Sequence, residues 1–455
     1  MGLKVCKFGG TSLADADQVR KMADIVLSDP DRRVVVVSAP GKRDKRDDKV
    51  TDLLIACAEA YQHRGEAAAE VARVVDRFGG IVRGLGLPDR LAQEVEGDLL
   101  QRMDLLAGAV RKERLTESLK AAGEDNCARI VAAYLTSLGA EASYVDPKDA
   151  GMLLSDDHGN ARVLNESYRR LASLKGRAGV SVFPGFFGYT LGGDVVTFPR
   201  DGSDITGAVL AAAVGASVYE NFKDVDSVFA ANPNVVDDPE AIGSLTYREM
   251  RELAYAGFSV LHEDALGPVY KHGIPVSIRN TNNPGAKGTM ITHSRERGGG
   301  PVVGIAGEGG FCSLNISKFM MNHELGFGRK VLQMLEDEGI SFDHIPSGID
   351  NLSIIFKEGQ LDPGKEDRIA RYLHGELKVD TAAFDKGKAM VMIVGEGMTR
   401  TVGTAKRATS ALAGAGINIE VIDQGASEES LMFGVRQEDA DGAVRALYAE
   451  FFPRA

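Results

Sequence analysis

The sequence predicts an α/β protein: a largely parallel sheet sandwiched by helices over residues 1–292, then two ferredoxin-like βαββαβ modules at 302–380 and 381–455. Three observations predict it. Short β-rich runs alternate with longer helical patterns through the first part of the chain. The run Arg32–Val37 holds four consecutive valines with no polar face, as a strand covered by helices on both sides requires. The last third repeats itself: GISFDHIPSGIDNLSIIF from Gly339 and GINIEVIDQGASEESLMFGV from Gly416 pair Ile340 with Ile417, Ile345 with Ile422, Ser353 with Ser430 and Phe356 with Phe433.

Taken in order, the chain opens on a short strand ending in KFGGTSLAD, residues 7–15. The residues before it are too few for a signal peptide and carry no cleavage site, so Lys7 is expected in the mature protein. A helix follows at once, with Val19, Met22 and Val26 on one face, Asp15 as its cap and Gln18 three residues on. Further strands are expected at ASYVD, VSVFPGF, DVVTF, SVYENF and PVSIRN. A charged, Ala-rich stretch at 58–120 reads as a helical insertion whose charges form a solvated face. HSRERGGGPVVG contains the linker, 293–301. In each C-terminal module an amphipathic helix precedes the repeated glycine; the first carries Phe327, Val331 and Leu335 at helical spacing.

A chain of 455 residues predicts two to four domains, and 44% apolar with 26% charged residues is the composition of a folded protein. The formal net charge of −12 argues against a nucleic-acid partner, because sequence-independent binding needs excess Lys and Arg. Cys6, Cys57, Cys127 and Cys312 lie far apart with no C-x-x-C, which speaks against a disulfide scaffold or a zinc site and points to a reducing cytoplasm. The apolar runs, such as AVLAAAVGA from Ala208, fall short of a membrane span.

No P-loop and no G-x-G-x-x-G occurs. Glycines nevertheless sit where strands end. Gly9 and Gly10 let a phosphate approach backbone N–H groups near a helix start, with Lys7 as a point charge and Thr11 and Ser12 as hydroxyl donors. FPRDGSDITGAVLAAAVGA repeats the logic: Gly202 and Ser203 precede a small-residue helix, flanked by Arg200 and Asp204. Two anion-ready helix starts in one sheet imply a phosphate, or a phosphate and a carboxylate, held between them.

These residues carry a family resemblance. KFGGTS, VVSAPGKR followed by KVTDLL, AAGEDNCARIVAAYL, PGFFGY, RDGSDITGA, KDVDSVFAANP, FSVLHEDAL and IPVSIRNTNNP resemble, in this order, the catalytic domain of aspartate kinases in the amino-acid kinase superfamily. The C-terminal modules resemble their paired ACT domains. The resemblance implies transfer of the γ-phosphoryl of ATP to the side-chain carboxylate of L-aspartate, giving 4-phospho-L-aspartate on the way to lysine, threonine and methionine. It implies Lys7 and Asp204 as catalytic residues, and Gly9, Gly10, Thr11, Ser12, Lys223, Asp224 and Phe229 with Lys7 at the ATP. Ser38, Glu124, Arg200 and Ser203 would contact the substrate, Glu124 at its amino group and Arg200 at its α-carboxylate. Mg2+ is expected with the nucleotide, and no protein metal cage is legible.

Some positions depart from the family. Asp201 and Gly202 follow Arg200 where two glycines are usual, Lys223 replaces a common threonine, Phe229 a usual tyrosine, and Ser259 a frequent lysine. The alternatives are a kinase of the same fold with another amino-acid or small-carboxylate acceptor, or a non-catalytic amino-acid sensor. In the first ACT module Met321, Asn322, Gly326 and Phe327, with Asp343 and Ser347, match the family's effector site, implying feedback by lysine, threonine or both and a homodimer or dimer of dimers.

Overall fold

The computed structural model describes residues 2–106, 112–199, 201–258, 260–295 and 300–453. The chain forms two compact units. The first comprises 2–228, 241–247 and 259–295; the second comprises 229–240, 248–258 and the chain from 296 onward. Of the expected linker, 296–299 lie outside the described residues.

The first unit runs β1 (Lys4–Phe8), α1 (Ala16–Leu27), β2 (Arg32–Val37), α2 (Val50–Arg64), α3 (Ala68–Gly84), α4 (Arg90–Leu106) and α5 (Lys112–Ser137). It continues through β3 (Ala142–Tyr144), α6 (Pro147–Ala150), α7 (Asn165–Leu171), β4 (Val180–Pro184), β5 (Phe187–Tyr189), β6 (Val195–Thr197), α8 (Gly202–Val214) and β7 (Val218–Lys223). Then come β8 (Val228–Phe229), β9 (Ala241–Ile242), β10 (Ser244–Thr246), α9 (Tyr247–Tyr255), α10 (Leu266–His272), β11 (Val276–Asn280) and β12 (Thr289–Thr292), of which Phe229 and most of α9 belong to the second unit.

Eight strands form one sheet in the order β10-β12-β11-β7-β1-β2-β4-β3, parallel except for the β11–β12 pair. The DVVTF strand expected in it pairs instead with β5 in a separate hairpin. The four valines of β2 are buried, and Asp15 caps α1 by accepting from the Gln18 N–H at 2.9 Å. Side chains alternate across β1. Cys6 and Phe8 join the core made with Val19, Met22, Leu54, Leu99 and Val131, whereas Lys7 faces the other way, on the side where α8 packs over β1, β2 and β7.

The helical stretch expected as an insertion at 58–120 begins earlier, at Val50, and α5 extends to Ser137. Its apolar residues share one core with the sheet, so it is a layer of this unit. α5 lies against β2, β3 and β4, and α2 and α4 pack on α5, so the charge on one face of these helices hides an apolar face turned to this core.

The second unit contains β13 (Gly304–Ser317), α11 (Phe327–Asp337), β14 (Asn351–Lys357), α12 (Pro363–Gly375), β15 (Thr381–Val394), α13 (Thr404–Gly414), β16 (Val421–Asp423), β17 (Ser430–Arg436) and α14 (Ala440–Phe451). Gly339 and Gly416, the repeat glycines, both take left-handed φ angles (64° and 71°) just past their helices. The two modules share one antiparallel sheet, β14-β13-β15-β17-β16. Residues 304–308 of β13 pair with 390–394 of β15, beside β17; after an irregularity, 311–317 pair with β14 and with 381–388. Each long strand therefore serves both modules, and the first strand of the chain's second module is the opening half of β13.

Candidate active site

Lys7 enters the sheet one residue before the C-terminal end of β1, opposite Asn221 of β7 and Val36 of β2. Ligands of open parallel sheets bind at this edge, outside the carboxyl ends of the strands. Lys7 is only 3% exposed, and its Nζ lies 2.7 Å from Oδ1 of Asp204, which is fully buried in the first turn of α8. Lys223 Nζ lies 2.9 Å from Oδ2 and 3.2 Å from Oδ1 of the same carboxylate. Asn221 Nδ2 donates to Oδ1 at 2.9 Å, and the His262 backbone N–H to Oδ2 at 3.3 Å.

Burial opposes ionisation of Asp204, but the Lys223 and Lys7 ammonium groups outweigh it and hold the carboxyl below the usual range. Burial also lowers the Lys7 pKa, which Asp204 only partly restores. For Lys223 the attraction of Asp204 wins over burial and the pKa rises.

The backbone at this edge is bare for steric reasons. A β-carbon on Gly41 would lie 2.6 Å from the Gly10 carbonyl carbon, and one on Gly10 would lie 3.0 Å from the Ala39 oxygen, so the loops after β1 and β2 touch through glycine. The Gly41 N–H donates to the Gly10 oxygen at 2.8 Å, and buried Arg77 donates to the Gly41 oxygen at 2.7 Å. A β-carbon on Gly185 would meet Ser203 at 2.6 Å, and one on Gly207 the Tyr219 hydroxyl at 2.5 Å, which explains the small residues of α8.

Among the expected site residues, Lys7, Asp204 and Lys223 come together around Gly9, whose β-carbon would lie 3.7 Å from Lys7 Nζ. Ser203 and Asp204 open α8, and the half-buried Ser38 follows β2 with its N–H donating to the Phe8 oxygen at 3.2 Å. Glu124, on α5, is buried; desolvation pushes its pKa up to about 8 against the pull of the Ala39 N–H and Lys7, and its Oε2 has no partner. Thr11 and Asp224 are exposed. Ser12, expected in the phosphate cradle, is buried, with its Oγ 2.7 Å from Thr281 Oγ1, and ties two loops together. Arg200 and Ser259 lie outside the described residues, and Phe229 belongs to the second unit. Among the described residues no cluster of three or more His, Cys, Asp or Glu is arranged to hold a metal.

Sequence reasoning passed over Asn221, Gly41 and the His262 amide. Asn221 carried a signal, a polar residue at an interior position of a buried strand; its Oδ1 is a further buried acceptor without a partner.

In the second unit, Met320 (φ 61°) and Gly326 (φ 78°) form the turn into α11, placing Met321 and Phe327 in the core and Asn322 at the surface. Asp343 accepts from the Tyr255 hydroxyl at 2.5 Å, and Ser347 is exposed.

No described helix is long and apolar enough to cross a membrane. The Amino acid kinase family model matches residues 2–280, and an ACT domain model matches residues 391–451. Aspartokinase 3 of Bacillus subtilis is 49% identical over 450 residues, 99% of both chains. The crystal structure of Clostridium acetobutylicum aspartate kinase superposes with a TM-score of 0.84 at 35% identity, over 99% of this chain and 100% of that one. Escherichia coli aspartokinase III, at 27% identity, superposes at 0.85 in its R-state complex with aspartate and ADP (99% of this chain, 100% of that one). In its T-state complex with lysine and aspartate it superposes at 0.77, over 99% of each chain. With a family model over more than half its length and a relative this similar from end to end, the chain belongs to the aspartokinases of the amino acid kinase family.

Proposed function

We propose that this protein transfers the γ-phosphoryl group of ATP to the side-chain carboxylate of L-aspartate, giving 4-phospho-L-aspartate, in the cytoplasm. The observation that carries the reading is the buried Lys7–Asp204 pair, 2.7 Å apart at the carboxyl edge of the sheet and bordered by bare glycine loops. The acceptor carboxylate, with a pKa of about 3.9, is already ionised at neutral pH, so no general base is needed. The barrier is the approach of one anion to another. Lys7 neutralises the transferring phosphoryl, Gly9 and Gly10 present their backbone to it, and Asp204 keeps the Lys7 ammonium charged and aimed.

Glu124 Oε2, buried and without a partner, suits the substrate ammonium. Ser203 and Ser38 flank the acceptor, and Arg200 is assigned to the α-carboxylate from its place in the sequence motif. Asp224 and Phe229 are assigned to the nucleotide on the same ground. Mg2+ would come with the nucleotide and would offset the charge of its phosphates; among the described residues no cluster of three or more His, Cys, Asp or Glu is arranged to hold it.

The ACT modules give the enzyme an amino-acid response. The turn through Met321, Asn322, Gly326 and Phe327 at the start of α11 is the proposed seat of the effector carboxylate, and Asp343, with Ser347, that of its ammonium. Lysine, threonine or both are the proposed effectors, and a homodimer or dimer of dimers is the proposed assembly. Trapping the acyl phosphate as a hydroxamate tests the reading. Aspartate should give product with ATP, and preference for another acceptor, or none, would overturn it.

A further inference from the structure

We propose that Lys223 is a second phosphate-facing cation and that it works with Asp201 as a charge pair setting the grip on the nucleotide's polyphosphate; the inference rests on the kinase reading above. Lys223 ends β7, and its ammonium holds both oxygens of Asp204, at 2.9 and 3.2 Å, while Lys7 holds Oδ1 at 2.7 Å. The three differ in access: counting side-chain atoms alone, Asp204 is 0% exposed, Lys7 4% and Lys223 14%. Lys223 is thus the member an incoming anion reaches. Between the lysines lies Gly9, whose β-carbon would sit 3.7 Å from Lys7 Nζ and 3.9 Å from Lys223 Cδ, so a phosphate meets backbone and ammonium together.

Two ammonium groups on one buried carboxylate leave a surplus positive charge, which burial makes costly unless an anion completes it. Part of that anion is already present. Asp201 is the residue directly before α8, at the N-cap position ahead of the turn that carries Asp204. It is exposed and makes no side-chain cap bond, yet it holds a left-handed φ of 60°, where glycine would be unstrained. Its charge favours the charged form of both lysines and repels an approaching polyanion. With Lys223 the four side chains are neutral in sum; with Lys223 alone removed they carry one net negative charge; with Asp201 also removed, neutrality returns.

ADP binding to the full chain by titration calorimetry, with KM for ATP and aspartate, tests this. Lys223→Thr and Lys223→Gln should weaken ADP binding and raise KM for ATP about tenfold or more, with KM for aspartate unchanged. Lys223→Arg should stay near the parent. Asp201→Gly added to Lys223→Thr should recover most of the lost affinity. Unchanged ADP affinity in both Lys223 variants, with unfolding temperatures preserved, would overturn the proposal, as would a double variant as weak as Lys223→Thr or a defect confined to aspartate. A parent protein that binds ADP but phosphorylates no aspartate would sink the kinase reading and leave this one standing.

Discussion

Lys7 stands opposite Asn221 across the β1–β7 ladder, and both side chains end on one oxygen of Asp204, Nζ at 2.7 Å and Nδ2 at 2.9 Å. The pairing register puts them on the same face; a slip of one residue would turn Lys7 toward the core and Cys6 and Phe8 out of it. The Lys7 ammonium is therefore positioned by backbone hydrogen bonding of the sheet, and its carboxylate partner by the helix that covers that face.

Lys7→Ala should lower kcat about 100-fold or more and leave unfolding nearly unchanged, since Asp204 keeps Lys223, Asn221 and the His262 amide. Steady-state kinetics beside a denaturation curve would check it. A kcat within about threefold of the parent would remove Lys7 from the chemistry.

Asp204→Ala should behave differently, because it leaves two buried ammonium groups uncompensated. A stability loss of about 3–5 kcal/mol is expected, read by urea unfolding. Asp204→Ala combined with Lys223→Met should lose less than the single variant.

Glu124 gives a pH signature. Its folded pKa, raised by burial to about 8, lies above the 4.5 of an unburied glutamate, so between those values the folded state binds a proton the unfolded state has released. Its contribution thus favours folding least at the upper end: stability should fall as pH rises through this window. Glu124→Gln should flatten that fall, as measured by unfolding free energies across the window. An ammonium beside Glu124 favours its charged form, so aspartate binding at neutral pH should release a proton, detectable by calorimetry in buffers of different ionisation enthalpy.

Gly41→Ala should be costly despite its small size, since the new methyl would lie 2.6 Å from the Gly10 carbonyl carbon and 2.8 Å from the Thr11 nitrogen. A loss of about 1–3 kcal/mol in stability, with weaker ADP binding, is expected. Equal stability and ADP affinity would show that the two loops do not need their close contact.

Asp343→Asn should weaken feedback about tenfold or more by removing the acid offered to the effector ammonium. Tyr255→Phe should make the response tighter, because the Tyr255 hydroxyl, 2.5 Å from Asp343 Oδ1, competes for that acid. Inhibition curves with lysine and threonine, alone and together, report both changes, and curves that coincide with the parent's would exclude Asp343 as the contact.

The α/β alternation, the cap at Asp15, the glycine pair after β1 and the internal repeat were legible because each is a local pattern set by backbone geometry. Asn221 looked like one more residue of a strand until β7 was laid beside β1. No local pattern places the Ser12 hydroxyl 2.7 Å from Thr281 or puts the apolar faces of the helices from Val50 in one core with the sheet.

By itself the sequence determined most of the elements, their order and the residue types assigned to phosphate and carboxylate, since these follow from side-chain periodicity and chemistry along the chain. Only the tertiary structure decided that Lys7, Lys223 and Asn221 share one carboxylate, that Gly10 and Gly41 touch, and that β13 and β15 each serve both modules. Pairing between distant strands and the burial of charge depend on contacts that no local pattern encodes, because a strand's edge hydrogen bonds are the same whichever partner takes them.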